Sequence, residues 1–130
     1  MIVVDASIVA NIVGDDGADG RLARDELRRS VDAAAPDLVD IEAVAVLRKR
    51  WLAGTLSDRR FVAAVEYLEQ MEIDRYPPLP FIHRAYELRA NVTPYDAAYV
   101  CLAENLNCDL VTGDRRLAKA PGLRCSVRLL

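Results

Sequence analysis

The stretch MIVVDASIVANIVG (residues 1–14) decides the fold, because a strand pattern runs directly into a helix pattern within it. MIVV (1–4) is a short apolar run rich in β-branched residues, which is typical of a buried strand in a parallel sheet. Asp5 follows, and ASIVANIV (6–13) predicts a short helix that Gly14 ends. The segment therefore predicts the start of a parallel strand–helix unit with an acid at its junction.

The rest of the chain repeats this alternation of strands and helices. Apolar runs predict further strands at 33–36, 72–77, 108–113 and 124–130. Periodic apolar positions and capping signals predict helices at 21–33, 37–54, 58–71, 80–91, 94–107 and 114–120. We therefore predict an α/β fold of one domain, 1–130, with a central, mostly parallel, twisted sheet of about four to five strands flanked by helices.

The composition limits the classes of function that the chain can have. Its 17 basic and 20 acidic residues give a net charge of −3, so any nucleic-acid site must be a local one. Cys101, Cys108 and Cys125 cannot all pair within the chain, and we expect reduced, buried thiols. With His83 as the single histidine, the cysteines offer no zinc-ligand spacing. The chain has no basic leader and no long apolar run, so we expect a cytoplasmic protein without a membrane span.

Four acids occupy positions from which their side chains could meet. Asp5 and Asp114 follow predicted strands, and ligands of a parallel sheet bind outside the carboxyl ends of its strands. Glu42 lies on an apolar stripe of the helix 37–54, which predicts that it points inward. Asp96 lies in the first turn of the helix 94–107. The joint pattern favours a cluster of carboxylates at one edge of the sheet.

Each acid also has an ordinary structural explanation. Asp5 and Asp114 could cap the helices that follow them. Glu42 could lie at the edge of its apolar stripe with its carboxylate in water. Asp96 could support a helix start that Thr93 caps. The local sequence alone leaves both interpretations open at all four positions.

A convergent set of carboxylates requires a partner. Two unit charges about 4 Å apart repel by roughly 4 kcal/mol at an effective dielectric constant near 20, so such a cluster must take up protons or a cation. Ligands that are all oxygen favour Mg²⁺ or Mn²⁺ over zinc. A metal of this kind can lower the pKa of bound water and stabilise charge on a phosphate.

The segments around these acids carry a family resemblance. MIVVDAS (1–7), IEAVAVLRKR (41–50), TPYDAAYVCLAE (93–104) and LVTGDRRLAK (110–119) resemble the four acidic motifs of PIN-domain ribonucleases. Their order and the size of the chain are similar to those of the VapC toxins of bacterial toxin–antitoxin pairs. The resemblance runs from residue 1 to about residue 120, and the segment 55–90 is generic.

The resemblance implies a PIN-like fold and roles for particular residues. It implies that four acids are the catalytic metal ligands, with the first and third as the most direct ones: Asp5, Glu42, Asp96 and Asp114. Ser7 and Thr112 match hydroxyls that orient the acids or a water. The family cleaves single-stranded segments of RNA, commonly tRNA or rRNA, with Mg²⁺ or Mn²⁺. Its toxins form homodimers, and a cognate VapB-type antitoxin inhibits them by occupying the active-site groove.

Local basic residues compensate in part for the negative net charge. Arg115 and Arg116 follow Asp114 directly, and we predict that they contact substrate phosphate. The basic residues at 48–50 on the helix 37–54 could serve the same purpose or could form a solvated helix face.

Three rival interpretations account for part of the pattern. A phosphotransferase of the haloacid-dehalogenase type needs a second acid two residues after the first, where this chain has Ser7. A phosphate-accepting receiver domain could use Asp74, but Lys119 is poorly placed for it. A PIN-like module that binds RNA or protein without cutting remains the non-enzymatic alternative, and the four intact acids argue against it.

Overall fold

The computed structural model describes all 130 residues and contains one five-stranded sheet. The strands are β1 (Ile2–Val4), β2 (Ala33–Pro36), β3 (Asp74–Tyr76), β4 (Asp109–Thr112) and β5 (Val127–Leu129). Their spatial order is β3-β2-β1-β4-β5, and every neighbouring pair is parallel. The predicted α/β class is therefore confirmed, and the sheet is wholly rather than mostly parallel.

Seven α-helices and one 3₁₀ turn flank this sheet. The helices are α1 (Ala6–Gly14), α2 (Ala18–Arg29), α3 (Val39–Leu52), α4 (Asp58–Gln70), α5 (Ile82–Glu87), α6 (Pro94–Leu106) and α7 (Arg115–Ala118). The 3₁₀ turn, Leu79–Phe81, precedes α5. No helix is long and apolar enough to cross a membrane.

Several predicted boundaries are wrong by a few residues. The α2 helix begins at Ala18 and ends at Arg29, whereas the prediction was 21–33. The α3 helix begins at Val39, because the amide of Asp37 bonds to the carbonyl of Tyr76 (2.8 Å) and so continues the pairing of β2 with β3. The strands β3, β4 and β5 are shorter than predicted, as is common at element ends.

The predicted helix 80–91 is broken. It consists of the 3₁₀ turn and the short α5, and tight turns follow Glu87. Thr93 is held extended before Pro94, a conformation that the residue before a proline favours, so the chain must turn before α6 begins. This irregular segment forms one side of a surface cleft.

The core explains the order of the strands. All three residues of β1 are buried, as befits a central strand that is covered on both faces. The α1 helix packs against α3, where a Cβ on Gly14 would lie 2.6 Å from Leu47 Cδ2. Gly14 therefore permits close helix packing and is not simply a stop signal. The pairing of β1 with β4 sets Val4 beside Val111, so the residues that follow both strands meet at one edge.

The cysteines agree only in part with their predicted state. All three are free thiols. Cys101 is buried, whereas Cys108 and Cys125 are half-buried, so the expectation of full burial is wrong for two of them.

Candidate active site

Asp5 joins the carboxyl ends of β1 and β4. Its Oδ1 accepts hydrogen bonds from the amide of Ile8 (3.0 Å) and the hydroxyl of Ser7 (2.6 Å), so Asp5 does cap α1. Its Oδ2 accepts a hydrogen bond from the hydroxyl of Thr112. Ser7 Oγ also accepts from the amide of Gly113 (3.2 Å). These contacts fix the carboxylate of Asp5 in one orientation.

The environment of Asp5 disfavours its negative charge. The residue is only 8% exposed. Burial raises the pKa of Asp5, and the hydrogen bonds from Ser7 and Thr112 offset this rise only in part. A nearby cation would therefore stabilise the ionised form of this carboxylate.

Glu42 lies at the edge of the buried face of α3. That face consists of Val39, Ala43 and Leu47, so the predicted apolar stripe around Glu42 is shifted by one position. Glu42 is half-buried, and its Oε1 accepts a hydrogen bond from the hydroxyl of Tyr99 (2.8 Å). The side chain therefore points toward α6, which agrees with the predicted inward direction.

Tyr99 is a residue of this site that sequence reasoning missed. Its side chain is buried, and burial together with the bond to Glu42 raises the pKa of its hydroxyl, which stays a donor. The available signal was its spacing, because Tyr99 follows Asp96 by three residues on α6 and so shares its face.

Asp96 lies in the first turn of α6, where Thr93 is the cap. Thr93 Oγ1 accepts a hydrogen bond from the amide of Asp96 (3.2 Å). Burial raises the pKa of Asp96, and repulsion from Asp114 and Asp5 raises it further. Thr93 thus caps the helix, and the carboxylate of Asp96 both interacts with the Thr93 side chain, which lowers its pKa in part, and faces other acids.

Asp114 caps α7 at the end of β4. Its Oδ1 accepts a hydrogen bond from the amide of Arg116 (2.8 Å). Its own amide donates to Thr112 Oγ1 (3.0 Å), so one hydroxyl ties Asp114 to Asp5. The Nε of Arg116 lies 3.8 Å from Asp114 Oδ1, but the Arg116 side chain is 95% exposed and forms only a weak pair.

The structure brings the four predicted acids into one electrostatic neighbourhood, here called the carboxylate cluster: Asp5, Glu42, Asp96 and Asp114. Repulsion from Asp96 and Asp5 raises the pKa of Glu42 beyond the effect of burial. No lysine or arginine forms an ion pair with Asp5, Glu42 or Asp96. The side chains do not close around one point, since no three acidic, His or Cys groups are near enough to hold an ion.

A cleft of about 410 Å³ opens beside the cluster, between the segment after α5 and the start of α7. Asp96, Asp114 and Arg116 line it together with Arg89. Arg115 is exposed and does not line this cleft, so the two predicted phosphate contacts differ in their position.

Comparison with known proteins identifies the family. A family model described as the PIN domain matches residues 2–123, nearly the whole chain. This chain belongs to the PIN-domain family. It is 41% identical over 129 residues to Ribonuclease VapC1 from Mycobacterium tuberculosis, a match that covers 98% of this chain and 96% of that relative. The protein is therefore a PIN domain of the VapC ribonuclease group.

Solved structures agree with this PIN fold. The crystal structure of PAE2754 from Pyrobaculum aerophilum is 27% identical, with a TM-score of 0.63 over 89% of this chain and 82% of that one. A chain in the crystal structure of VapBC2 from Rickettsia felis, bound to a DNA fragment from its promoter, has a TM-score of 0.68. It is 15% identical and covers 100% of this chain and 99% of its own, so it shows the fold alone.

These findings confirm the resemblance and remove two rival interpretations. The haloacid-dehalogenase and receiver interpretations are wrong, because this PIN domain belongs to neither family. The roles of the individual site residues stay predictions. For Asp5 and Asp114, the structural and the functional interpretation are compatible, because each acid caps a helix and is also a member of the carboxylate cluster.

Proposed function

We propose that this PIN domain hydrolyses phosphodiester bonds of single-stranded RNA, such as tRNA or rRNA, with Mg²⁺ or Mn²⁺ at the carboxylate cluster. One observation carries the proposal. Burial raises the pKa of Asp5, Glu42 and Asp96, repulsion between the acids raises the pKa of Glu42 and Asp96 further, and no lysine or arginine forms an ion pair with any of the three. A divalent cation would relieve that repulsion, and the substrate class follows from the ribonuclease names of the relatives.

The chemistry of the donors fits such an ion. All four groups offer carboxylate oxygens, the ligands that Mg²⁺ and Mn²⁺ prefer. Asp5 retains accepting capacity, because a carboxylate has about four lone-pair sites and three hydrogen bonds use part of it. A bound ion would lower the pKa of water and stabilise charge on the phosphate.

The residues of the chain would then hold and orient the reacting groups. Ser7 and Thr112 keep both oxygens of Asp5 in place. Tyr99 holds Glu42 against α6, so that its second oxygen stays free of hydrogen bonds within the chain. Asp96 presents its carboxylate from the first turn of α6, where Thr93 caps the helix. We assign Arg116, and less directly Arg115, to contacts with substrate phosphate.

Cleavage of RNA by the purified protein tests this proposal. We expect cutting of single-stranded RNA in Mg²⁺ or Mn²⁺, none in excess chelator, and a large loss in Glu42→Gln. Glutamine keeps an oxygen that can accept from Tyr99, so the fold is retained. Asp25→Asn is the matched control, because Asp25 is an acid on α2 that pairs only with Arg28. Undiminished cutting in chelator would remove the metal from the mechanism.

The same experiment tests the non-enzymatic alternative. A module that only binds RNA or protein would retain RNA without cutting it in either metal. Metal-dependent cutting that Asp25→Asn preserves and Glu42→Gln abolishes would exclude this alternative.

We propose that a VapB-type antitoxin binds an apolar groove between α3 and α4 and extends toward the carboxylate cluster. The groove has a volume of about 390 Å³ and is lined by Trp51, Phe61, Val62 and Val65. Three acids rim it: Asp58, Glu66 and Glu69. An amphipathic helix with basic flanks has the complementary chemistry, and an added basic side chain would pair with the cluster. The family resemblance implies this class of partner, and the VapC name of a relative that is 41% identical agrees with it.

A charge placed in the groove tests the antitoxin site. Val62 is 59% exposed, and we expect Val62→Lys to weaken inhibition by the neighbouring gene's product without changing cleavage. Val31→Lys is the matched control, because Val31 is 88% exposed and lies after α2, away from the groove. Equal inhibition of Val62→Lys and the parent would move the antitoxin site elsewhere.

We also propose a homodimer that acts in the cytoplasm, where free thiols persist. The outer face of α3 carries an exposed apolar stripe of Ile41, Ala45 and Leu52 that a second copy could cover. We expect light scattering to give a dimer for the parent and a monomer for Leu52→Lys. A parent that stays monomeric at high concentration would refute the dimer.

A further inference from the structure

The cleft beside the carboxylate cluster has a basic side as well as an acidic one. Asp96 and Asp114 line it from the side of the cluster, whereas Arg89 lines it from the turns that follow α5. Its volume of about 410 Å³ lies within the range of small-molecule sites, roughly 300–1,000 Å³. The cleft can therefore hold a group of the size of a nucleotide next to the acids.

Arg89 is oriented by an aromatic ring and by its own backbone. Its guanidinium carbon lies 4.1 Å from the centroid of the Tyr86 ring, within the distance of a cation–π contact. Its Nη1 donates a hydrogen bond to the carbonyl of Tyr86 (3.0 Å). This anchoring lowers the entropy that a later contact of Arg89 would cost.

The charge of Arg89 has no counter-charge within the chain. Arg84 and Arg128, by contrast, pair with Glu104 and Glu26. No carboxylate lies within ion-pair distance of Arg89. A cation that is positioned but unpaired, in a cleft beside a catalytic site, is suited to bind an anion.

The neighbouring acids determine which anion fits. Free carboxylates in the cleft repel a diffusing anion, so binding must draw on further contacts from the same molecule. A phosphodiester strand provides them, because one phosphate can occupy the cluster while the next group reaches Arg89. Tyr86 is 59% exposed, and Arg89 covers only one face of its ring, which leaves the other face for a nucleobase.

We propose that Arg89 and Tyr86 form a subsite for the nucleotide next to the scissile phosphate, in which Arg89 binds its phosphate and Tyr86 stacks on its base. This subsite rests on the proposed cleavage of single-stranded RNA. Neither residue belongs to the acidic motifs, and both lie in the segment 55–90 that the sequence left without a function.

Binding of a fluorescein-labelled single-stranded RNA decamer, followed by fluorescence anisotropy in Mg²⁺, tests the subsite. All proteins carry Glu42→Gln, so that the RNA stays intact during the titration. We expect Arg89→Ala to raise Kd about 10-fold and to lower the log–log salt slope by about 0.7, the value for one phosphate contact on a single strand. We expect the Kd of Arg89→Lys to lie between that of Arg89→Ala and that of the protein with Arg89 intact, because lysine keeps the charge but not the planar group.

Two further variants separate the subsite from general charge effects. Tyr86→Ala should raise Kd about 5-fold by loss of stacking and of the anchor for Arg89. Arg29→Ala is the matched control, because Arg29 is exposed, unpaired and located at the opposite ends of the strands, before β2. It should stay within about twofold of the parent. Unchanged thermal melting of each variant shows that exposed residues were altered without loss of the fold.

The possible results separate this inference from the proposed function. Equal binding by Arg89→Ala and the parent, or equal losses in Arg89→Ala and Arg29→Ala, would overturn the subsite. A chain without Glu42→Gln that never cuts RNA would refute the proposed cleavage and, with it, the position of the subsite next to a scissile phosphate. An Arg89-dependent Kd would then still show that Arg89 binds RNA. If the unmutated chain cuts RNA but the Kd of the Glu42→Gln protein does not depend on Arg89, the subsite alone is refuted.

Discussion

Replacing Asp96 by Asn removes one charge from the carboxylate cluster and leaves the start of α6 intact. The Thr93 hydroxyl accepts from the amide of Asp96, and asparagine retains that amide. The change therefore tests whether the Asp96 carboxylate serves the helix or the site.

The metal-free effect is the sum of two opposing contributions. A first-turn acid stabilises a helix by about 0.3–1 kcal/mol, and this contribution is lost. Repulsion from Asp114 and Asp5 is also removed, and one such pair is worth about 1 kcal/mol or more once partial exposure is taken into account. We expect the free energy of unfolding to stay equal or to rise by up to about 1 kcal/mol, a shift in Tm of 0 to roughly +4 °C for a chain of this size.

The sign reverses when metal is present. At a Mg²⁺ concentration 100 times its Kd, a single site stabilises the parent by about 2.7 kcal/mol. A variant with 100-fold weaker binding would gain only about 0.4 kcal/mol under the same conditions. We expect cleavage to fall by at least about 100-fold, since loss even of outer-shell partners costs 10–100-fold.

Thermal melting with and without Mg²⁺, beside an RNA-cleavage assay, measures both effects. Asp25→Asn controls for the general loss of an acid from a helix. An Asp96→Asn protein that melts at a lower temperature without metal and cuts RNA at the parental rate would show that Asp96 serves only the helix start.

Three further predictions follow from the hydrogen bonds and pKa shifts of the cluster. Thr112→Val removes the hydroxyl that donates to buried Asp5, so denaturant unfolding should show a loss of about 1.5–3 kcal/mol, and a loss below about 0.5 would contradict this contact. Tyr99→Phe removes the hydroxyl that donates to Glu42, so the pKa of Glu42 should rise. The acidic limb of the pH–rate profile should then move to higher pH, and a limb that does not move would argue against a role for Glu42. The raised pKa values of Asp5, Glu42 and Asp96 mean that the folded state binds protons more tightly than the unfolded chain. The free energy of unfolding therefore falls as the pH rises from the ordinary pKa values, 3.8 for Asp and 4.5 for Glu, through the raised ones. Without metal, the Tm of Asp96→Asn should therefore rise relative to the Tm of the parent as the pH increases from about 4 to about 7. A difference in Tm that does not change with pH would refute the cluster.

The sequence predicted the elements that local patterns determine. Ile2, Val3 and Val4 of the run 1–4 are buried as β1, and Ser57 and Thr93 supply the caps of α4 and α6. These features depend on neighbours a few residues apart, which a single sequence displays.

The sequence could not predict features that depend on distant partners. The start of α3 is set by the pairing of Asp37 with Tyr76, and Glu42 depends on Tyr99, 57 residues away. The hydrogen bond that directs Glu42 toward α6 therefore cannot be read from the periodicity of α3. The cleft beside Arg89 likewise exists only because distant segments meet there.

The bond between Thr112 and Asp5 spans 107 residues of sequence, with consequences for biosynthesis. On the ribosome, the N-terminal strand emerges long before the strand that must lie beside it. Until residues 112–114 have left the exit tunnel, Asp5 lacks the Thr112 hydroxyl that bonds to it and the neighbouring Asp114. Contacts of such long range also form slowly, because the closure of a long loop precedes any gain. The growing polypeptide therefore carries separate acids and no assembled carboxylate cluster, so the RNA cleavage that we propose can begin only after the chain has folded around residue 114.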